Sequence, residues 1–200
     1  MGKKLLYIIA GANGSGKSTL ATRLLPLKKL EFLNADEIAK GIAPDAIDSV
    51  PVTAGKAYHR KLRKLLAEEK SFALESTLSG KGTIKIINNA REKGYKICLV
   101  FAYLDDCSMC LERVKRRVDN GGHNVPEEDI IRRYYKGVLR FENTYKHLAD
   151  SWILFYNGFS YAPVLVSAGE SDKVFVLDND RQNQFADIIK QAASEVNVDV

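Results

Sequence analysis

Cysteine is scarce in this 200-residue sequence, and its three cysteines match no complete metal or redox motif. Cys107 and Cys110 have the C-x-x-C spacing, but no second pair follows, and His123 lacks a second histidine at zinc-finger spacing. Cys98 lies in an apolar run typical of a buried strand. We therefore interpret the three thiols as core and helix residues in a reducing compartment, not as metal ligands or a redox pair.

Long apolar segments and targeting patterns are also missing. No run approaches the length that crosses a membrane, and the apolar run after Lys4 is too short for a signal peptide. Leu6 breaks the pattern for N-terminal myristoylation. We expect a cytoplasmic protein with no membrane partner.

Basic residues are in excess but are not clustered. The net charge is +5, yet there is no run of five or more basic residues, no nucleic-acid motif and no repeat. This pattern favours a small anionic substrate over nucleic acid. With 46% hydrophobic residues, residues 1–200 can form a single domain with a sizeable core.

The most informative stretch present is Gly11–Ser18, which fits the pattern G-x-x-x-x-G-K-[ST]. It follows the apolar run Leu5–Ala10 and precedes a helical segment, Thr19–Leu25. Glycines let several backbone N–H groups converge on one anion, and the helix N-terminus adds its positive end there. The strand–loop–helix context predicts a site for a nucleoside triphosphate, ATP, with Mg²⁺.

Individual roles follow from that motif. Lys17 is expected to reach the β- and γ-phosphates, Ser18 to ligate Mg²⁺, and Thr19 to offer its hydroxyl to the α-phosphate. The full set of expected nucleotide-binding residues is Gly11, Ala12, Asn13, Gly14, Ser15, Gly16, Lys17, Ser18 and Thr19.

Apolar runs alternate with helical periodicity along the rest of the chain, which predicts a three-layer α/β/α fold around a parallel sheet. The expected parallel strands are Leu5–Ala10, Glu31–Asn34, Ser71–Leu74, Lys96–Leu104 and Trp152–Tyr156. An antiparallel pair, Pro163–Val166 and Lys173–Leu177, and a helix, Arg181–Val196, should close the chain. The segment Gly41–Pro51 is expected to be a loop or a substrate-facing cap.

Three carboxylates fall at the carboxyl ends of predicted strands, where open α/β sheets bind ligands. Asp36 could accept a proton from an attacking hydroxyl or hold Mg²⁺ through water, although it could also cap the next helix. Glu75 could be a second acidic partner of Mg²⁺ or could bind a substrate hydroxyl, as could Thr77. Asp105 could mimic a Mg²⁺-binding aspartate, whereas Asp106 is more simply a helix N-cap.

Two amphipathic helices then form an expected lid over about residues 107–148. Packing by their apolar stripes, the second of which includes Ile131, would hold Arg113, Arg117 and Arg133 near one cleft, with Arg116 further out. Arginines brought in by a closing lid stabilise a phosphoryl group in transfer. The alternative is a solvated basic face.

Five stretches together resemble the zeta-toxin family in its compact form: GANGSGKST, NADEIA, LESTLSG, RVKRRVDNGGHNVPEEDIIRRY and SWILFYNG. The resemblance implies a P-loop kinase fold and ATP-dependent phosphorylation of the 3′-hydroxyl of the amino sugar in UDP-N-acetylglucosamine. It also implies that Asp36 is the catalytic base and that Glu75 and Thr77 contact the sugar nucleotide. Where larger members carry a lid arginine this chain has Gly122–Pro126, so Arg133 or His123 is expected to substitute. An antitoxin protein is a possible partner that no residue specifies.

We therefore expect an ATP-dependent small-molecule kinase in which Asp36, Lys17 and the lid arginines act on a hydroxyl acceptor. Three alternatives stay open. The acceptor could be another nucleoside, antibiotic or metabolite, or the end of a nucleic acid, or the chain could be a nucleotide-dependent binding switch.

Overall fold

A computed structural model describes residues 3–28, 30–43, 49–158, 162–170 and 172–197. The strands are β1 (Leu5–Ala10), β2 (Glu31–Leu33), β3 (Phe72–Ser76), β4 (Lys96–Tyr103), β5 (Ser151–Tyr156), β6 (Val164–Glu170) and β7 (Lys173–Val176). The helices are α1 (Lys17–Lys28), α2 (Ala35–Ile42), α3 (Pro51–Ala67), α4 (Gly82–Glu92), α5 (Cys107–Asp119), α6 (Glu127–Arg140), α7 (Lys146–Leu148) and α8 (Asn179–Asn197). Part of the predicted cap, residues 44–48, lies outside the described residues.

All seven strands form one sheet in the order β2-β3-β1-β4-β5-β6-β7. The pairings from β2 to β5 are parallel, whereas β6 pairs with β5, and β7 with β6, in antiparallel fashion. The predicted five-stranded parallel sheet with an antiparallel extension is therefore confirmed. Because β4 occupies the centre and is covered on both faces, it reads as an almost continuous apolar run.

Successive residues of the central strands enter opposite cores. On β1, Leu6 and Ile8 belong to the larger core, whereas Ile9 belongs to a smaller one. The larger core also takes apolar residues of α3, α4, α5, α6 and α8, and the smaller one takes Leu20 and Ala21 of α1. This alternation is the period of two of a strand, and it gives the sheet a helical layer on each face.

The second lid helix departs from its predicted course. The sequence predicts one helix through Tyr145, but α6 ends at Arg140 and a π-helical turn, Phe141–Tyr145, follows. The turn keeps both aromatic residues buried: the Phe141 ring stacks on Phe101 at 4.4 Å, and the Tyr145 hydroxyl donates to the Gly80 carbonyl at 2.9 Å.

One residue of the predicted α6 stripe is misplaced. Ile131 is 36% exposed, whereas its neighbour Ile130 is buried. The prediction of a buried Ile131 was wrong because the helix buries only a narrow strip, and the adjacent position turns outwards. Within the described ranges, no helix is both long and apolar enough to cross a membrane.

Candidate active site

The loop between β1 and α1 contains three glycines with positive φ, and two of them shape its phosphate-facing turn. Gly14 has φ +83° and Gly16 has φ +87°, conformations that other residues rarely adopt. A Cβ on Gly14 would lie 2.5 Å from the Cys110 carbonyl oxygen, and one on Gly16 would lie 2.1 Å from Asn157 Nδ2. Backbone conformation and neighbouring atoms therefore both require glycine at these positions.

Lys17 and Glu75 form the centre of a charge network beneath this loop. Lys17 Nζ donates to the Ala12 carbonyl at 2.8 Å and lies 3.4 Å from Glu75 Oε1. Ser18 Oγ and Asn34 Nδ2 both donate to Glu75 Oε2, at 2.8 and 2.9 Å. Because β3 pairs with β1, Glu75 is brought beside Ile9 and so beside the loop that follows.

Asp36 does not cap its helix. Asn34 is the N-cap of α2, and its Oδ1 accepts from the backbone N–H groups of Asp36 and Glu37 at 2.8 and 3.3 Å. The capping interpretation of Asp36 was therefore wrong. Its side chain is exposed and lines the same cavity as Lys17.

That cavity has a volume of about 480 Å³, within the usual range for small-ligand sites. The described residues that line it are Asn13, Gly14, Gly16, Lys17, Ser18, Thr19, Leu20, Arg23, Asp36, Glu75, Arg113, Arg116, Arg117, Asn157, Ala162 and Pro163. Lysine and arginine outnumber carboxylates in this lining. Such a surplus of positive charge suits a polyphosphate.

Three arginines of α5 line the cavity, one more than expected. Arg113 Nη2 donates to the Gly158 carbonyl at 3.1 Å, and Arg117 Nη2 donates to the His123 carbonyl at 2.7 Å. Arg116, expected to point away, also lines the cavity and pairs with Glu112. A helical wheel gives the direction of a Cβ, whereas a long arginine side chain can still reach a site beside its helix.

Arg133 lies behind the loop instead. Its Nη1 donates to Asn13 Oδ1 at 3.1 Å, and its Nη2 is 2.9 Å from Asp129 Oδ2. It is not among the described residues that line the cavity. The α6 arginine thus contacts the cavity through Asn13.

Two further predicted residues lie outside that lining. Thr77 Oγ1 hydrogen-bonds Ser79 Oγ at 2.8 Å. Asp105 Oδ2 accepts from the Tyr156 hydroxyl at 2.7 Å, and Oδ1 lies 3.3 Å from Arg181 Nη1. The Asp105 carboxylate is therefore engaged with β5 and α8.

Asp106 is the N-cap of α5, as predicted. The hydrogen bond from the Ser108 hydroxyl, together with backbone N–H groups of Ser108 and Met109, lowers the pKa of Asp106.

Burial controls the titration of two groups around the site. Burial, and then the negative charge of Glu75, raise the pKa of Tyr58 to about 12, so its hydroxyl keeps its proton. Burial likewise raises the pKa of the Cys110 thiol to about 12, and none of the three cysteines, all of them among the described residues, forms a disulfide. A protonated, buried Cys110 agrees with the interpretation of the C-x-x-C pair as helix residues.

The residues present fit a magnesium ion. The Ser18 hydroxyl and the Glu75 carboxylate supply the oxygen ligands that Mg²⁺ prefers, directly or through water. Over the ranges that the structure describes, no cluster of three or more His, Cys, Asp or Glu side chains could hold a metal by itself. Mg²⁺ sites in nucleotide enzymes use few protein ligands and take others from the phosphates.

Sequence reasoning assigned no role to Asn34, Arg23 or Asn157. Asn34 and Asn157 do lie in stretches quoted for the family resemblance, directly after β2 and β5. Their position at the carboxyl ends of strands is a signal that could have identified them.

Comparison with known proteins agrees with this architecture. A protein of Haemophilus influenzae, described as uncharacterized, is 32% identical over 132 residues, which are 66% of this chain and 92% of that protein. The solved complex of AvrRxo1-ORF1 and ORF2 with ATP has a TM-score of 0.73 at 16% identity, covering 92% of this chain. This chain spans only 63% of the length of the chain that it matches there.

The PezAT toxin–antitoxin system of Streptococcus pneumoniae has a TM-score of 0.66 at 12% identity, covering 98% of this chain and 87% of the matched one. At these identities the similarity establishes the fold, which is P-loop kinase-like. The profile of the AAA domain family AAA_33 matches residues 6–134, well over half of the sequence. The chain therefore belongs to the AAA_33 family of AAA domains.

Proposed function

We propose that this protein is an ATP-dependent kinase that transfers the γ-phosphate to a hydroxyl group of a small acceptor. One observation carries the proposal: Asp36 and Lys17 line one open cavity of about 480 Å³, together with four arginines, three of them on α5. A carboxylate that lines the same open cavity as the phosphate loop leaves room for an alcohol between them.

The loop and α1 hold the nucleotide in this proposal. Backbone N–H groups of the Gly11–Thr19 segment and the N-terminus of α1 cradle the phosphates. Lys17 turns from Ala12 and Glu75 towards the β- and γ-phosphates, and Ser18 and Glu75 would hold Mg²⁺. The ion, when bound, neutralises charge that develops on the phosphate oxygens.

Asp36 orients the acceptor hydroxyl and receives its proton as the oxygen bonds to the γ-phosphorus and the bond to the leaving ADP breaks. Arg113 and Arg117 face the charge that develops on the transferred group. The helix that carries them, α5, and the adjacent α6 form part of the proposed lid over about 107–148, which would close over the transferred group. A direct contact from Arg133 or His123 stays a prediction, since Arg133 now bonds Asn13.

The contacts of Glu75 favour its role as a partner of Mg²⁺ over a role in binding the sugar of the substrate. Its two oxygens already face Lys17, Ser18 and Asn34. In the substrate role predicted from the family resemblance, Glu75 would have to exchange these partners for a hydroxyl. Thr77, which bonds Ser79, would likewise have to turn to contact a substrate.

For the acceptor we propose a UDP-amino sugar such as UDP-N-acetylglucosamine, on the zeta-toxin resemblance. The fold similarity to a toxin–antitoxin system supports a search for an antitoxin partner as well. A cytoplasmic location fits both the substrate and the three described cysteines, which form no disulfide.

The test is incubation of the protein with ATP, Mg²⁺ and UDP-N-acetylglucosamine, followed by mass spectrometry and an assay for ADP release. We expect a mass gain of one phosphate. Asp36→Asn should lower kcat by about 10²–10⁴ with little change in ATP affinity. Glu37→Gln is the matched control, because Glu37 shares the first turn of α2 but is not among the described cavity residues.

Other results separate the alternatives. ADP release only with a different acceptor pool would keep the kinase and replace the sugar. Acceptor-independent hydrolysis with nucleotide-dependent partner binding would indicate a switch. Labelling of oligonucleotide ends would indicate a nucleic-acid acceptor. An Asp36→Asn variant with unchanged kcat would contradict the proposed mechanism.

A further inference from the structure

Asn157 directly follows β5, and its side chain contacts the phosphate loop. Its backbone N–H donates to the Tyr103 carbonyl at 2.9 Å, which fixes the residue at the carboxyl end of the sheet. Its side-chain Nδ2 donates to the Ser15 carbonyl at 2.7 Å. This side chain thereby joins the central sheet to the loop across a separation of 142 residues in sequence.

This hydrogen bond constrains the direction of a backbone donor. A trans peptide is planar, and its C=O and N–H point in opposite directions. A Ser15 carbonyl held on Asn157 therefore turns the N–H of Gly16 away from Asn157. The N–H of this loop position is one of those that converge on phosphate.

Gly16 is matched to this contact. Glycine adopts its φ of +87° readily, whereas other residues rarely do. A Cβ at this position would lie 2.1 Å from Asn157 Nδ2. Ser15 does not provide a substitute brace, since its buried Oγ has no hydrogen-bond partner among the described residues. The contact from Arg133 reaches the side chain of Asn13 and not the 15–16 peptide.

We propose that Asn157 is a positioning residue that holds the 15–16 peptide so that the Gly16 N–H faces the phosphates of the bound nucleotide. The inference rests on the proposed nucleotide-binding function of the loop. It assigns Asn157, which also lines the cavity, an effect on phosphate binding that is exerted through the backbone.

Two substitutions test it. Asn157→Ala removes the donor, and Asn157→Asp keeps the volume but sets an acceptor against the Ser15 carbonyl. We expect the dissociation constants for ATP and ADP to be about tenfold higher in the Ala variant, which is the scale of one lost hydrogen bond. The Asp variant should lose more, because its carboxylate also repels phosphates. Adenosine, which has no phosphate, should bind all variants equally.

Binding is measured by isothermal titration calorimetry on the full chain with ATP, ADP and adenosine, alongside melting temperatures. In turnover, KM for ATP should rise about tenfold in the Ala variant with kcat within about twofold of wild type. Asn89→Ala, at an exposed position of α4, is the control and should change none of these values. If the Ala variant does not fold, the Asp variant, which keeps the side-chain volume, still provides the test.

An equal loss for adenosine would overturn the proposal, because Asn157 would then contact the base or sugar directly. Unchanged ATP binding in both variants, or a lower melting temperature without a phosphate-selective loss, would also overturn it. If wild-type protein binds ATP but phosphorylates no acceptor, the proposed kinase function is rejected and this inference stands. Wild-type protein that binds no ATP would reject both.

Discussion

Replacing Glu75 with glutamine tests the charge network under the phosphate loop. The substitution keeps the side-chain volume and one acceptor oxygen but removes the negative charge. Glu75 Oε1 lies 3.4 Å from Lys17 Nζ, and the two side chains are 16% and 5% exposed. Since Ser18 and Asn34 donate to the other oxygen, the amide nitrogen of glutamine must face a donor on one side.

The expected loss can be estimated from these contacts. Two unit charges at the 3.4 Å separation of this pair attract by about 5 kcal/mol at an effective dielectric constant of 20. Removing one partner of a buried pair outright typically costs about 3–5 kcal/mol. Glutamine keeps one hydrogen-bonding oxygen, so we expect the nucleotide-free protein to lose about 2–3 kcal/mol in free energy of unfolding.

Bound nucleotide should reduce the difference in free energy of unfolding between Glu75→Gln and wild type. Triphosphate oxygens near Lys17 would replace the missing carboxylate, so ATP with EDTA should stabilise the variant more than wild type. We expect the difference in free energy of unfolding to narrow by about 1 kcal/mol or more at saturating ATP. Urea unfolding with and without ATP measures both quantities.

Glu92→Gln serves as the control, because Glu92 is exposed on α4 and its loss should change stability by no more than about 0.5 kcal/mol. The reasoning is refuted if Glu75→Gln unfolds like wild type without nucleotide. A difference of the same size with and without ATP would show that Lys17 does not exchange Glu75 for phosphate.

Two more predictions concern stability. Gly169→Ala should cost about 1–3 kcal/mol in thermal or urea unfolding, because its Cβ would lie 2.4 Å from the Trp152 ring, and an unchanged melting temperature would contradict this packing. Burial raises the pKa of Cys110 from its ordinary value of 9.0 to about 12, so the unfolded chain releases this proton first. This contribution to stability is complete below about pH 9 and is lost as pH rises towards about 12. Urea unfolding at about pH 8 and about pH 10.5 should therefore show a smaller decline for Cys110→Ala than for wild type, and equal declines would argue against a buried thiol.

Much of the nucleotide end of the site is local in sequence. Residues 11–19 lie between one strand and one helix, so the glycine spacing, Lys17 and Ser18 could be recognised without knowing the rest of the fold. The five parallel strands could be assigned for a similar reason, because buried parallel strands are continuous apolar runs. The positions of Glu75 near the end of β3 and of Asp36 in the first turn of α2 followed from the switch to helical periodicity.

Side-chain direction was harder to predict. Arg116 and Arg133 were assigned from a helical wheel, which carries no information on how far a long side chain extends or which partner it finds. Asp129 and Asn13 hold Arg133 behind the loop, and Asn13 is 120 residues away in sequence. The π-helical turn at Phe141–Tyr145 likewise keeps two aromatic residues buried in a way that a regular helical period does not anticipate.

The sequence by itself thus determined the strand–loop–helix motif and the parallel sheet, because each depends on neighbouring residues and on which side chains avoid water. Tertiary structure alone decided that Glu75 bonds Ser18, that Asn34 rather than Asp36 caps α2, and that Asn157 braces the phosphate loop. The contacts of Glu75 and Asn157 join the ends of two strands to the phosphate loop that follows a third strand. The Asn34 cap depends on which short side chain reaches the backbone N–H groups in the first turn of α2. Such contacts are set by the pairing order of the sheet and by hydrogen-bond geometry. The spacing of residues in the sequence carries no information on either.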